Sequence, residues 1–480
     1  MTIKERLAIP PQEMRTQEPK ARLWNMDEIA LGYTEEQAIY EAERCLNCKN
    51  APCVNGCPVG VQIPQFIAEI QQRNFKSAID IIKETNLLPA VCGRVCPQEK
   101  QCQLKCTAGL SLKSINKAVA IGRLERFVAD WERDKGVAPP PVVKPHTGRR
   151  VAVIGSGPAG LTTAADLARA GHEVMIFEAL HKPGGVMVYG IPEFRLPKAI
   201  VAAEIHDLER IGVRFELNFL AGRTETIDNF LKEFDAVFIG TGAGLPKFLG
   251  IPGENLAGVF SANEYLTRAN LMKAWETDAG TPFFHARVVA VVGGGNVALD
   301  TARMALRLGA EEVHLIYRRT RDEMPARAEE VEHATEEGVI FDFLRNPTEI
   351  LGGENARVTA MTLQRFELGA PDASGRRSPV PLAGSEYRFA CDMVIPALGN
   401  APNPLLEHFT PALKADKHGH IIVDNRQKTS LDTVYAGGDI VLGAATVILA
   451  MGEGRRAAVA INELLGDENG GKGGVSLNTV

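Results

Sequence analysis

The chain has no basic excess, no long apolar run and, beyond its first quarter, almost no cysteine. Its 480 residues carry 53 Lys and Arg against 59 Asp and Glu, a net charge of −6. A general nucleic-acid binder would show a strong positive balance. The opening Met1-Thr2-Ile3-Lys4-Glu5-Arg6 lacks the apolar core of a signal peptide, and no stretch is long enough to span a bilayer. These absences argue against nucleic-acid and membrane partners and point to the cytoplasm. Thiols stay reduced there, and metal binding outranks a disulfide framework. Hydrophobic residues at 45% and charged residues at 23% describe an ordinary globular protein, and this length implies two to four domains.

The cysteines that are present are concentrated. Eight of the nine fall between Cys45 and Cys106, as Cys45-x2-Cys48-x4-Cys53-x3-Cys57-Pro58 and Cys92-x3-Cys96-Pro97-x4-Cys102-x3-Cys106. Eight thiolates suit two [4Fe–4S] clusters, one sulfur ligand per iron. Zinc is the competing reading, but structural zinc sites favour paired short gaps and these spacings fit them poorly. Between the quartets, Ile63, Phe66, Ile67 and Ile70, and then Ala78, Ile79 and Ile82, recur at helical spacing. The block closes on Val137-Ala138-Pro139-Pro140-Pro141, which reads as a proline linker.

Downstream, the same grammar is written twice. Arg150-Val151-Ala152-Val153-Ile154 reads as a strand running into Gly155-Ser156-Gly157-Pro158-Ala159-Gly160, then a helix, then a second strand, Glu173 to Glu178, ending in an acid. This is a complete dinucleotide-binding unit: Gly155 for the tight turn, Gly157 for backbone approach to a pyrophosphate, Gly160 for close helix–strand packing. The helix N-terminus offers unpaired amides to phosphate. Glu178 suits an unphosphorylated adenosine ribose, as in FAD. The second copy runs Arg287 to Val292, Gly293-Gly294-Gly295-Asn296-Val297-Ala298, and Glu312 to Tyr317. It ends in Arg318-Arg319, guanidinium forks suited to a phosphate dianion and hence to NADPH. The alternative has both arginines in solvated surface pairs and NADH bound.

Three further segments bear on the flavin. Gly184-Gly185, opening Gly184 to Pro192, lets backbone pack against a flat ring system. Gly438-Asp439 puts a carboxylate near the ribityl chain or phosphate edge. Gly443 to Val447, including Thr446 and Val447, can start a helix aimed at the isoalloxazine. No cysteine lies between Cys106 and Cys391, so the redox cysteine pair of a disulfide reductase is missing. Cys391, in Cys391-Asp392-Met393-Val394-Ile395, reads as a buried core thiol.

Cys45-Leu46-Asn47-Cys48, Val91 to Pro97, Gly155 to Gly160, Tyr189-Gly190-Ile191-Pro192, Tyr317-Arg318-Arg319 and Ala436-Gly437-Gly438-Asp439-Ile440 together resemble the small (beta) subunit of NADPH-dependent glutamate synthase. The pattern is similar also to the flavin subunit of bifurcating ferredoxin:NADP oxidoreductases, to sulfide dehydrogenase and to the N-terminal half of dihydropyrimidine dehydrogenase. The resemblance implies an α/β protein: a helical iron–sulfur domain followed by two Rossmann-like domains of glutathione-reductase type. Its implied boundaries are residues 1–146 for the clusters, 147–255 and 399–466 for a divided FAD domain, 256–398 for the NADPH domain, and 467–480 for a flexible tail. It also implies that the quartets interleave. Cys45, Cys48, Cys53 and Cys106 would hold one cluster, and Cys57, Cys96, Cys102 and Glu125 the other, with Cys92 as the alternative to Glu125.

The implied activity is oxidation of NADPH at FAD, with electrons passed through the clusters to a partner subunit that makes glutamate from glutamine and 2-oxoglutarate. No side chain need be a catalytic nucleophile, since the cofactors carry the chemistry. A glutaminase of the expected type would place cysteine after Met1, where Thr2 stands, so a large partner chain is expected. The alternative is a bifurcating or ferredoxin-linked NADP reductase working with a smaller flavoprotein. A scaffold with degenerate sites is the remaining reading, and the intact motifs speak against it.

Overall fold

The computed structural model describes residues 1–136, 142–276, 278–372 and 375–467. The proline run at 137–141 and the tail beyond residue 467 lie outside the described residues.

The N-terminal block is helical. The apolar spacing read from the sequence produces Ile63–Gln71 and Phe75–Lys83, which bury Phe66, Ile67, Ile70, Ala78, Ile79 and Ile82. The long helix Ile121–Asp134 packs on Pro89–Val95. At the crossing, a Cβ on Gly93 would meet the backbone of Arg126 at 2.6 Å. No larger residue at position 93 would let the two helices approach so closely. The two arginines that flank this crossing, Arg94 and Arg126, share Glu28 and Asp130 in a part-buried ion cluster.

Two parallel sheets follow. The first has the order Val434–Ala436, Ala236–Ile239, Arg150–Ile154, Glu173–Glu178, Arg214–Leu217. Its edge strand thus comes from nearly 200 residues further on, and the pairing Val434↔Val237 to Ala436↔Ile239 joins the two chain segments. The second has the order Met393–Pro396, Val288–Val292, Glu312–Tyr317, Ile340–Phe343. The central strands Arg150–Ile154 and Val288–Val292 are almost wholly buried, as expected where helices cover both faces. Inserted before Met393 is a four-stranded antiparallel sheet from Arg345–Gly352, Val358–Pro371, Arg377–Pro381 and Tyr387–Ala390, which the sequence reading does not contain. Cys391 follows it directly and is buried, as expected of a core thiol.

No helix among the described residues is long and apolar enough to cross a membrane.

Candidate functional site: two glycine turns and two cysteine groups

The first glycine turn is built by exclusion. Gly155 sits at φ +100°, and a Cβ there would meet the Gly240 carbonyl at 2.5 Å. A Cβ on Gly160 would lie 1.9 Å from the Gly155 carbonyl oxygen, so helix Pro158–Arg169 can approach its strand only without one. Beside Gly157, by contrast, nothing lies within 4 Å, which leaves open backbone at the helix N-terminus where a diphosphate is best received. Glu178, at the end of its strand, accepts from Ser156 N at 2.9 Å, from the Ser156 hydroxyl and from Leu180 N at 2.9 Å. Its carboxylate is therefore fixed at the turn, with lone pairs to spare for ribose hydroxyls. Ser156 Oγ also accepts from Gly184 N at 3.0 Å, which draws the Gly184-Gly185 segment over the turn. A Cβ on Gly185 would meet the Gly157 Cα at 2.8 Å, and one on Gly438 the Ala159 Cβ at 2.8 Å.

The structure thus brings Gly155 to Gly160, Glu178, Gly184, Gly185 and Gly438 together. Asp439 follows directly, its carboxyl raised to about 6 by burial and accepting from Ala445 N at 3.2 Å. Thr446 caps the helix Val447–Asp467 by accepting from Leu449 N. Two residues the sequence reading missed hold this arrangement: Ser156, and Glu453, whose carboxylate accepts from Gly438 N at 2.8 Å.

The second turn is as tight at its start but not at its helix. A Cβ on Gly293 would meet the Ala397 carbonyl at 2.5 Å and one on Gly294 the Tyr317 ring at 2.5 Å, whereas Ala298 stands buried where the first copy has Gly160. Gly295, Asn296 and Val297 are half-buried at the start of helix Asn296–Arg307. Asn296 Oδ1 accepts from Arg327 N at 2.9 Å.

The two arginines after Tyr317 part company. Arg318 is exposed, whereas Arg319 is buried and donates to the Arg377 carbonyl and to Asp372, both at 2.7 Å. The two arginines expected to act as one phosphate fork thus have different surroundings. One guanidinium faces solvent at the strand end, and the other clasps the antiparallel sheet that the sequence reading lacked.

The eight N-terminal cysteines sort into two interleaved groups. Cys45, Cys48, Cys53 and Cys106 line one small, partly open cavity together with Ile63, Ile67, Val119 and Ile121. Burial pushes the Cys45 thiol up to about 11 and Cys53 up to about 12, and the neighbouring thiols Cys106 and Cys48 add to each rise. Cys57, Cys96, Cys102 and Glu125 form the other group. Burial raises Cys57 to about 11 and Cys102 well above its ordinary value, and in both Glu125 and Cys96 reinforce the rise. Glu125 itself is pushed up to about 8 by burial, against a hydrogen bond of 2.7 Å from Asn86. Cys92 adjoins this group with its thiol toward Asn86 Oδ1, at 3.7 Å, and Met451 Sδ, at 3.5 Å.

Thiols that burial holds protonated become ligands only where cationic metal compensates their charge. Among the described residues, no three His, Cys, Asp or Glu side chains converge as a single-ion site requires. Zinc, with Zn–S bonds of about 2.3 Å, would demand that convergence. A quartet spread round a cavity fits a cubane, whose irons each take one thiolate.

The second group lies against the first glycine unit. The Pro58 carbonyl, one residue after Cys57, would be 2.9 Å from a Cβ on Gly452, and Gln101, beside Cys102, donates to Thr446 Oγ1 at 3.4 Å. With the Cys92–Met451 contact, two neighbours of this group touch the first turns of helix Val447–Asp467 and a third touches its cap, Thr446. Asn86, which holds Glu125 in place, carries no recognisable signal in the sequence.

Comparison with known proteins agrees with this division. Residues 22–137 match the family described as dihydropyrimidine dehydrogenase domain II, 4Fe–4S cluster, and residues 149–463 match pyridine nucleotide-disulphide oxidoreductases. The chain belongs to the pyridine nucleotide-disulphide oxidoreductase family. Within it, the chain is 36% identical to the glutamate synthase [NADPH] small chain of Azospirillum brasilense, covering 94% of both chains. It is 42% identical to the NADP(+)-dependent formate dehydrogenase subunit beta of Moorella thermoacetica, over 86% of this chain but only 60% of that one. Mycobacterium tuberculosis FprA, solved in complex with NADPH, shares the fold at 22% identity, with a TM-score of 0.56 over 68% of this chain and 85% of its own. The resemblance to glutamate synthase small subunits and the expected fold class are both borne out. The chain is an oxidoreductase with an iron–sulfur domain joined to a pyridine-nucleotide fold. The family name's disulfide chemistry does not carry over, because Cys391 is buried and has no cysteine partner.

Proposed function

We propose that this chain takes electrons from NADPH at FAD and delivers them singly, through two [4Fe–4S] clusters, to a partner subunit, as the small chain of a glutamate synthase. One observation carries the reading: the group Cys57, Cys96, Cys102 and Glu125 abuts the helix that begins at Thr446-Val447, beside the first glycine turn.

The residues present fit each group. Gly155 to Gly160, Glu178, Gly184, Gly185, Gly438, Asp439, Thr446 and Val447 would hold FAD. Gly293, Gly295, Asn296, Val297 and Arg318 would hold NADPH, with Arg319 acting through the sheet it clasps. The flavin would supply the change from hydride to single electrons, and the clusters one-electron carriage. The protein's own work is positioning. Arg195, just after Gly190-Ile191-Pro192, binds Asp300 at 2.6 Å and Glu330 at 3.0 Å. This buried pair fastens the flavin-side segment to the second unit's helix. Arg327 donates to the Arg94 carbonyl at 3.0 Å and Lys100 to the Pro325 carbonyl at 2.6 Å, tying the second unit to the cysteine domain.

For the fourth ligand of the inner cluster we favour Glu125 over Cys92. Glu125 stands close to both Cys57 and Cys102 and accepts from Asn86, while the Cys92 thiol lies beside Cys96, Asn86 and Met451. The test is anaerobic NADPH titration of the iron-replete protein, followed by optical and EPR spectroscopy. Flavin bleaching followed by cluster signals supports the reading, and a bound flavin that stays oxidised refutes it. Addition of glutamine and 2-oxoglutarate with a large amidotransferase chain then tests the partner. The 42% identity to a formate dehydrogenase subunit favours one second reading, an NADP-linked module serving another dehydrogenase. Co-purification with a chain other than a large amidotransferase would support it.

A further inference from the structure

The group Cys45, Cys48, Cys53 and Cys106, the outer one because it lies away from the glycine turn, differs from the inner group Cys57, Cys96, Cys102 and Glu125 in the charge around it. Its Cys45, Cys48 and Cys53 are half-buried and Cys106 is buried, while in the inner group only Cys57 is half-buried. The chain that wraps the outer group comes from two segments, residues 45–68 and 100–124, and neither contains a single Asp or Glu. In a chain of net charge −6 this is a marked local reversal. The segments carry Lys49, Lys105, Lys113 and Lys117, all exposed and in no ion pair with a described residue, besides Lys100, which donates to the Pro325 carbonyl, and Arg123, which pairs with Glu329.

Lys49 follows Cys48 and Lys105 precedes Cys106, so two of these lysines adjoin cysteines of the group directly in the chain. The Lys105 stem crosses Gly56, whose Cβ would meet it at 3.1 Å, so it lies over the turn between Cys53 and Cys57. Arg44, the residue before Cys45, donates to the Lys117 carbonyl at 2.6 Å and fixes the Ile115–Lys117 turn beside that thiol. Between the lysines stand Leu104, Leu110 and Ile115, which are 47%, 61% and 41% exposed. Apolar side chains ringed by unpaired cations of one sign form a surface suited to a protein of opposite charge. Glu5 and Glu43 border it but are accompanied by Lys4 and Arg6, and Arg6 donates to the Glu43 and Cys45 carbonyls.

We infer that the lysine-ringed face over Cys45, Cys48, Cys53 and Cys106 is the docking surface for an acidic one-electron iron–sulfur protein or domain. This rests on the proposed passage of electrons through two clusters to a partner, in which the group away from the glycine turn comes last, and adds the chemistry of what receives them. Charge complementarity selects this occupant. A second copy of this chain, itself net negative but basic at this face, would set like charges against each other in a symmetric pairing.

The test uses the iron-replete holoprotein and a strongly acidic [2Fe–2S] ferredoxin as probe. Its binding is measured by calorimetry, and its NADPH-driven reduction is compared with that of ferricyanide. The variant is Lys105→Glu/Lys113→Glu/Lys117→Glu, with Lys417→Glu, on an exposed loop of the FAD-side half, as the charge-matched control. At low ionic strength the triple variant should bind the ferredoxin at least about tenfold more weakly, and its affinity should lose its dependence on salt. Lys417→Glu should leave binding unchanged, and both variants should reduce ferricyanide at the parental rate. Unchanged affinity in the triple variant, equal loss in the control, or no ferredoxin binding by the parent at low salt would overturn the proposal. So would salt-independent self-association through this face. Failure of NADPH to bleach the flavin, or of ferricyanide to be reduced, would instead strike the functional reading beneath it.

Discussion

The two glycine turns share one sequence grammar but are packed to different tolerances. In the first, Gly160 presses against the Gly155 carbonyl, and Gly184, held by Ser156 of the turn, Gly438 and Glu453 close in from three other segments. In the second, Ala298 fills the position of Gly160 and the strand end opens toward solvent at Arg318. The first fits a ligand that stays bound, the second one that comes and goes. A resident cofactor repays tight enclosure by several chain segments, while an exchanging one needs an open mouth and a few directional contacts.

The largest expected effect comes from removing that difference. Gly160→Ala would set a Cβ 1.9 Å from a backbone oxygen, an overlap that only displacement of the helix can relieve. Loss of bound FAD and a stability drop of about 3 kcal/mol or more are expected. The mirror change, Ala298→Gly, only loosens a helix and should cost about 1 kcal/mol, with NADPH turnover retained. Flavin-to-protein absorbance ratios and thermal melts would check both. If Gly160→Ala kept its flavin, the contrast between the turns would fail.

Next is the acid at the first strand end. Glu178→Ala leaves Ser156 N and Leu180 N without their acceptor. Each buried donor so orphaned costs about 1–3 kcal/mol. FAD affinity should fall at least about a hundredfold, measured by fluorescence of released flavin, with NADPH recognition untouched.

Much of this was legible in advance, and the reasons are physical. A strand, a glycine turn and a helix are local, so Arg150–Ile154, Glu173–Glu178 and Glu312–Tyr317 appear in the structure at the residues their patterns imply. Cysteine spacing revealed metal, but their sorting into two interleaved groups came through family resemblance, because spacing does not say which loop folds over which. The residues that escaped are those whose meaning is a partner far along the chain. Asn86 acts on Glu125 39 residues away, Glu453 on Gly438 across a helix, and Arg195 on Asp300 in another domain. The antiparallel sheet escaped for another reason. Its strand Val358–Pro371 alternates irregularly in burial and contains register shifts, so the period-two signal is broken where it should be clearest.

The smallest effects sharpen the comparison most, because they separate Arg318 from its neighbour. Arg318 is exposed at the strand end, and if it reads the ribose phosphate as proposed, Arg318→Glu should raise the KM for NADPH about tenfold or more while leaving that for NADH nearly unchanged. Arg319 is spent on Asp372 and the Arg377 carbonyl. Its loss by Arg319→Ala should therefore appear as about 1–3 kcal/mol of stability, with the NADPH-to-NADH preference retained. Two adjacent arginines would then show opposite signatures, one in KM and one in melting temperature. If Arg319→Ala instead abolished the preference for NADPH at unchanged stability, the clasp on the antiparallel sheet would be incidental and the two residues would act as one fork.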